Sequence, residues 1–406
     1  MEALNPAKIF IGARGSALAL SFGFSIIYSR LLGLENRSVL TFIFTVSSLL
    51  ILGFISSLGL DFRKKLSSSP DRNIEIINYL NNLFYLTLVL SIIFELFLLI
   101  YSSFVTHLNL KLFCLSLLLF LTSGLVQGLN ELLIGLDRLR TIGLLENIEI
   151  LSQIIFFAAL LNLAGFSIIT SVMLGISLTY IISSLLILKM VLNQTKLKVR
   201  ELIKTSYTDL RCLDLFNSKS LYVTLPFVIL DRIDKVMIGF LLPLVILSKY
   251  SVLLVFYSLA RVIPESIAKT YFSRHHFKKR GGGDRNLLFA AFFIPVFLLA
   301  YPLYIISTRF MLGNDWLLPV NIFLATALFE LIRAICLLKI NRLFTERLET
   351  GFKLTHISWF IGMAVGLIFI SVHFVGIVGV PLSLGTTYAS LMFAEMYRQR
   401  RNGVMH

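Results

Sequence analysis

Four charged residues, Asp231, Arg232, Asp234 and Lys235, sit at the centre of the apolar run SLYVTLPFVILDRIDKVMIGFLLPLVI, Ser220 to Ile246. About eleven residues flank them on each side. At roughly 1.5 Å rise per residue they fall near mid-depth of a ~30 Å hydrocarbon layer. A charge there costs about 3 kcal/mol even on the mildest insertion scale, so such residues face a bundle interior or a wet cavity. On a helix Asp231 lies four residues from Lys235 and three from Asp234, so acid and base share a face and the four charges sum to zero. Two kinds of chemistry are open to this cluster. A carboxylate can bind and release H⁺ or Na⁺, and a guanidinium or ammonium can hold an anion.

Further charges interrupt other apolar runs. Arg261, Glu265 and Lys269 follow one another at intervals of four, with Pro264 as a kink, and Arg261 falls near mid-depth. Glu330 and Arg333 are three apart and read as an internal ion pair that fixes helix packing. Arg14 stands just inside the first run. For Arg14, Glu131 and Lys269, near the cytoplasmic interface, snorkelling explains the position as well as function does. Glu95 has no local partner and is left outside the site. Arg261 and the 231–235 cluster are the main candidates. Their cationic members suit a phosphate or pyrophosphate group, and a carboxylate beside them suits coupling to an ion gradient.

The elements that position these residues follow from composition. The chain has 406 residues, 57% of them hydrophobic and only 15% charged, with 35 Phe and a mean hydropathy of +0.86. Apolar runs in such number identify an all-α polytopic membrane protein. The net charge of +15 then reflects basic cytoplasmic loops, and nucleic acid is excluded as the partner it would otherwise suggest. Cys114, Cys212 and Cys336 are scattered, without metal or disulfide spacing. Lys8 and Arg14 precede a long apolar run without a small-residue cleavage site, the pattern of a retained signal anchor.

About twelve spans are expected, near 12–32, 38–60, 80–102, 112–134, 145–164, 167–190, 220–246, 250–272, 287–309, 315–338, 354–374 and 376–397. Basic residues crowd the connections after even-numbered spans, from Arg63, Lys64 and Lys65 to Arg398, Arg400 and Arg401. Connections after odd-numbered spans hold little beyond Arg30, Arg37, Lys249 and Arg309. That alternation places both termini in the cytoplasm. The connection 193–219 divides the chain into a bundle over 1–192 and another over 220–406. The basic stretch from His275 to Arg285 lacks the Gly-Lys-Ser/Thr ending of a phosphate loop and reads as a linker.

A faint repeat supports two six-helix bundles related by a pseudo-two-fold axis. Ser177, Leu178, Ser184, Leu185 and Met190 recur at one offset as Ser383, Leu384, Ser390, Leu391 and Met396. Likewise Ser38-Val39-Leu40 matches Ser251-Val252-Leu253. The sequence carries no zinc motif, nucleotide loop, nucleophile elbow or filter-like repeat, so transport is expected rather than catalysis. An integral membrane glycosyltransferase would want a sizeable external loop, and no external connection exceeds roughly ten residues.

Several stretches resemble the polysaccharide-transporter family, the O-antigen flippase type within the multidrug/oligosaccharidyl-lipid/polysaccharide exporter superfamily. SRLLGLENRSVL from Ser29 and ISSLGLD from Ile55 are similar to that family's opening. GLDRLR from Gly135 resembles its segment between spans 4 and 5. LDRIDKVMIG from Leu230 with YSLARV from Tyr257, and GIVGVPL from Gly376, resemble its later blocks. The resemblance implies alternating access between two bundles, moving a polyprenyl-diphosphate-linked oligosaccharide across a bacterial inner membrane for surface polysaccharide synthesis.

It further implies substrate contacts at Arg261, then Arg14 and Arg30, with Lys235 and Arg232 from the central cluster. An ion-coupling set of Asp231, Asp234 and Glu265 with Thr386 or Thr387 follows from related lipid flippases. Span 11, Ile357 to His373, lacks an acid or Asn, which favours a proton over a sodium gradient. No bound cofactor is expected. The implied partners are the lipid-linked oligosaccharide, membrane lipids, and a polysaccharide polymerase with glycosyltransferases. A multidrug or small-molecule cation antiporter of the same fold is the alternative, and a membrane glycosyltransferase a more distant one.

Overall fold

The computed structural model describes residues 6–69, 71–102, 109–195, 219–257, 300–346 and 354–401. Within a lipid layer backbone N–H and C=O groups must pair internally, and the apolar runs do so as helices. These are α1 Pro6–Leu50, α2 Ser56–Ser68, α3 Arg72–Ser102, α4 Leu110–Gly135, α5 Leu139–Asn162, α6 Ile168–Thr195, α7 Lys219–Leu241, α8 Leu244–Tyr257, α9 (300–311), α10 Val320–Glu346, α11 Leu354–Val375 and α12 Gly379–Arg401. Six described helical stretches are long and apolar enough to cross a membrane. Phe84, Ile92, Leu96 and Leu99 on α3 and Trp359, Phe369 and Ile370 on α11 are exposed, as lipid-facing residues are.

The first two expected spans form one helical run from Gly12 to Leu66. No loop separates them. Gly33 instead bends α1 with φ 71° and ψ 177°, a conformation a side chain would strain. A five-residue π turn at Ile51–Ile55 then leads into α2. Arg37, expected in an external connection, consequently lies in the first turn of the second limb of α1 and is buried.

The chain packs as two compact units, Met1–Ala13 with Ile43–Ile229, and Arg14–Phe42 with Leu230–His406. Residues 14–42 thus share a unit with the end of α7 and with α8. The reason is local. Phe22 meets Phe256 edge-on at 4.8 Å, and Ser248 Oγ donates to the Leu34 carbonyl at 2.6 Å. Thr41 Oγ1 donates to Ser251 Oγ at 3.4 Å. Leu225 in turn fills the space over Gly53 in the first unit.

In the first unit α4 brings Gly124 and Gly128 against α3. A Cβ on Gly124 would stand 2.8 Å from Thr87, and one on Gly128 would overlap Leu83. This close approach lets Tyr79 Oη donate to the Gly128 carbonyl at 2.7 Å. Nearby Arg63 on α2 pairs with Glu131 on α4 at 2.9 Å, and Gln127 donates to the same carboxylate at 3.4 Å. Glu131 is thus an interhelical partner. Glu95 on α3 also has one, accepting from Ser116 Oγ on α4 at 3.5 Å.

The repeat is partly visible in burial. Ser38 and Ser251 are both buried, as are Leu40 and Leu253, and Ser177 with Ser383. Leu178 and Leu185 are exposed where Leu384 and Leu391 are buried, so the matched leucines have different surroundings.

Candidate functional site

The central charges of α7 begin at Asp231, the second residue of the helix assigned to the second unit. Apolar residues surround them: Leu230, Ile233 and Ile238 are buried. Asp231 and Asp234, three apart, lie on one helical face. Across from them α10 contributes Glu330 and Arg333, again three apart, and both are buried.

Arg333 is the hub. Its Nη2 pairs with Asp231 Oδ1, and its Nη1 holds Glu330 Oε1 at 3.2 Å and Oε2 at 3.5 Å. It is also hydrogen-bonded to Tyr388 of α12, and its guanidinium lies 5.8 Å from the Phe329 ring centroid. Arg232 Nε stands 3.5 Å from the other Asp231 oxygen. The Glu330–Arg333 pair expected from spacing is therefore present. Its extension to α7 is not something spacing reveals.

Asp234 is 2% exposed, and its Oδ1 accepts no hydrogen bond among the described residues. An ionised carboxylate oxygen buried without a donor costs several kcal/mol. One guanidinium shared by two carboxylates has a related consequence. Protonation of either acid leaves the other with an undivided partner.

An aromatic wall adjoins the cluster. Tyr257 Oη donates to the Phe323 carbonyl at 3.0 Å, and Tyr304 Oη accepts from the Leu318 amide at 2.9 Å. Tyr301 and Tyr257 rings lie 4.6 and 5.2 Å from the Phe323 ring, and Phe329 lies 5.9 Å from Tyr388. These rings bury apolar area while their hydroxyls find backbone partners.

Thr387 is buried but donates to its own helix at Ser383, whereas Thr386 is exposed and donates to Leu382. Lys235 and Arg14 are half-buried and Arg30 is exposed. Arg261, Glu265 and Lys269 lie outside the described residues, as does the basic stretch around 273–286.

Glu149 was not singled out by the sequence. On α5 it is buried, hydrogen-bonded to Ser183 of α6, and its Oε1 has no hydrogen-bond partner among the described residues. It sits inside LLENIEILSQ beside Glu146, where an i,i+3 pair of acids in an apolar run was the available signal. Among the described residues no cluster of His, Cys, Asp and Glu suits a tightly bound metal.

All-α, multi-pass and carrying charges in its interior, the chain has the fold of MATE transporters, members of the MOP superfamily in which twelve membrane helices form two bundles. A variant of the Vibrio cholerae MATE transporter VcmN matches with a TM-score of 0.57 at 10% identity, over 98% of this chain and 97% of that one. The MATE transporter ClbM in complex with Rb⁺ gives 0.55 at 13% identity, over 97% and 94%. An inward-facing multidrug resistance MATE transporter gives 0.52 at 12%, over 98% of each chain. At these identities the likeness is one of fold. No protein-family model and no curated protein matches the sequence.

Proposed function

We propose that the protein is an ion-coupled secondary transporter of the cytoplasmic membrane that exchanges protons for an organic cation or another small molecule by alternating access. The observation that carries this is the group of buried Asp234, Glu330 and Arg333 with half-buried Asp231, in which one arginine serves two acids and one Asp234 oxygen has no hydrogen-bond partner among the described residues. Proton uptake at such a group changes which carboxylate holds Arg333, and with it the tie between α7 and α10. Glu149 supplies a second buried carboxylate, one of whose oxygens has no hydrogen-bond partner among the described residues. Among the structures sharing the fold, two are of a multidrug resistance MATE transporter and one is a MATE transporter in complex with Rb⁺, which supports this reading over the oligosaccharide-lipid one.

Export of a lipid-linked oligosaccharide is the second reading. It rests on the stretches at Ser29, Gly135, Leu230 and Gly376 and on Arg14, Lys235 and Arg261, whose charge suits a diphosphate.

Proteoliposomes separate the two. Vesicles with an acid interior should accumulate ethidium and lose their pH gradient as they do so, and the Asp234→Asn protein should do neither. If wild type moves no member of an organic-cation panel yet speeds reorientation of a fluorescent short-chain polyprenyl-diphosphate glycan, the second reading replaces the first. If it does neither, both fail.

A further inference from the structure

Arg37 is a buried cation paired with no acid among the described residues. It is 5% exposed and forms no ion pair among the described residues. Its Nη2 donates to Ser25 Oγ at 3.3 Å, and its guanidinium lies 4.4 Å from the centroid of the Tyr28 ring. Nε and Nη1 have no hydrogen-bond partner among the described residues. Glu35, the nearest acid in the chain, is exposed.

The surrounding hydroxyls do not neutralise the charge. Ser29 donates to the Ser25 carbonyl at 2.5 Å, Ser38 to that of Glu35 at 2.5 Å, and Ser248 to that of Leu34 at 2.6 Å. Arg37 donates to none of these three among the described residues, and a neutral hydroxyl carries no counter-charge. A ring face and one serine oxygen offset only part of the charge, because a desolvated guanidinium is stabilised chiefly by an anion in its own plane. Either edge of its fork retains an unused donor, the arrangement that accepts two oxygens of a phosphate or carboxylate. The bend at Gly33 begins a new helical limb, with Arg37 in its first turn, the end where backbone dipoles also favour negative charge.

We propose that Arg37, with Tyr28 beneath it and Ser25 beside it, is one arm of an oxyanion site of the second unit, taking a phosphate group from a free diphosphate or from an anionic lipid headgroup. The site is separate from the carboxylates around Arg333 and stands or falls independently of the transport reading.

The test uses purified full-length protein in detergent, with the melting temperature followed by intrinsic fluorescence and lipid adducts followed by native mass spectrometry. The probes are sodium pyrophosphate against sodium chloride at matched ionic strength, and phosphatidylglycerol against phosphatidylcholine. Wild type should melt several degrees higher with pyrophosphate, with phosphatidylglycerol, or with both. Arg37→Gln should lose that shift. Arg37→Lys, which keeps the charge but not the fork, should bind roughly tenfold more weakly than wild type. A shift with phosphatidylglycerol alone identifies a headgroup site, one with pyrophosphate alone a soluble or substrate phosphate, and competition between the two a shared site. If Arg37→Gln does not yield folded protein, Ser25→Ala and Arg37→Lys carry the test through their weakened response. The proposal is overturned if neither probe stabilises wild type over its control, or if folded Arg37 variants keep the full shift.

Discussion

Asp231 on α7 and Arg333 on α10 form an ion pair between helices that are remote in sequence, and the same arginine holds Glu330 at 3.2 Å. Glu330 is fully buried, and Arg333 nearly so. The three side chains are joined through the arginine, and removing it takes that partner from the fully buried Glu330, while Asp231, about a quarter exposed (24%), keeps Arg232 at 3.5 Å.

Replacing Arg333 by Met should destabilise the protein by about 3–5 kcal/mol, the usual result of stripping one partner from a buried pair. Adding Glu330→Gln should recover part of that loss, because the orphaned charge is gone. Thermal unfolding of the single and double variants measures both. A single variant as stable as wild type would mean that the pair carries no structural weight.

Asp234→Asn keeps the side chain's shape and removes the charge of a buried carboxylate whose Oδ1 has no hydrogen-bond partner among the described residues. Folded stability should stay level or rise, while gradient-driven exchange should fall by at least about tenfold if the carboxylate carries the coupling ion. Melting curves and vesicle flux on one preparation separate these effects. Unchanged flux would take Asp234 out of the coupling role.

Gly128→Val should cost about 1–3 kcal/mol by driving a side chain into Leu83 and separating α3 from α4. Tyr79→Phe, which removes only the hydrogen bond to the Gly128 carbonyl, should cost about 1 kcal/mol. Equal, negligible losses in both would contradict the close helix contact.

Arg63 and Glu131 should couple by about 1–2 kcal/mol in a double-mutant cycle of Arg63→Met and Glu131→Gln, since the pair is partly buried and further tied by Gln127. A coupling energy near zero would return Glu131 to the snorkelling explanation.

Much of the architecture was legible along the chain. Hydrophobic runs at span length announce membrane helices because lipid offers the backbone no partner, and this holds whatever the neighbours are. The charges of α7 and α10 were legible for the same reason, since a charge within such a run is conspicuous. Arg37 was misplaced because a run of charged and polar residues after Gly33 looks like a loop. A glycine at positive φ lets the helix bend there and continue. Glu149 was overlooked because its partner, Ser183, lies on another helix.

The sequence by itself thus determined the class of protein, its helical spans and the candidate titratable groups, all consequences of local hydropathy and helical periodicity. Only the tertiary structure decided which charges meet. Spacing joined Glu330 to Arg333, but the step from Arg333 to Asp231 depends on how α7 and α10 pack. Residues 14–42 sit in the second unit for the same reason, fixed by contacts such as Phe22 with Phe256 and Leu34 with Ser248. Contacts between residues so remote in sequence leave no periodic trace in a single chain, because periodicity records which face a residue occupies and not which helix lies against it.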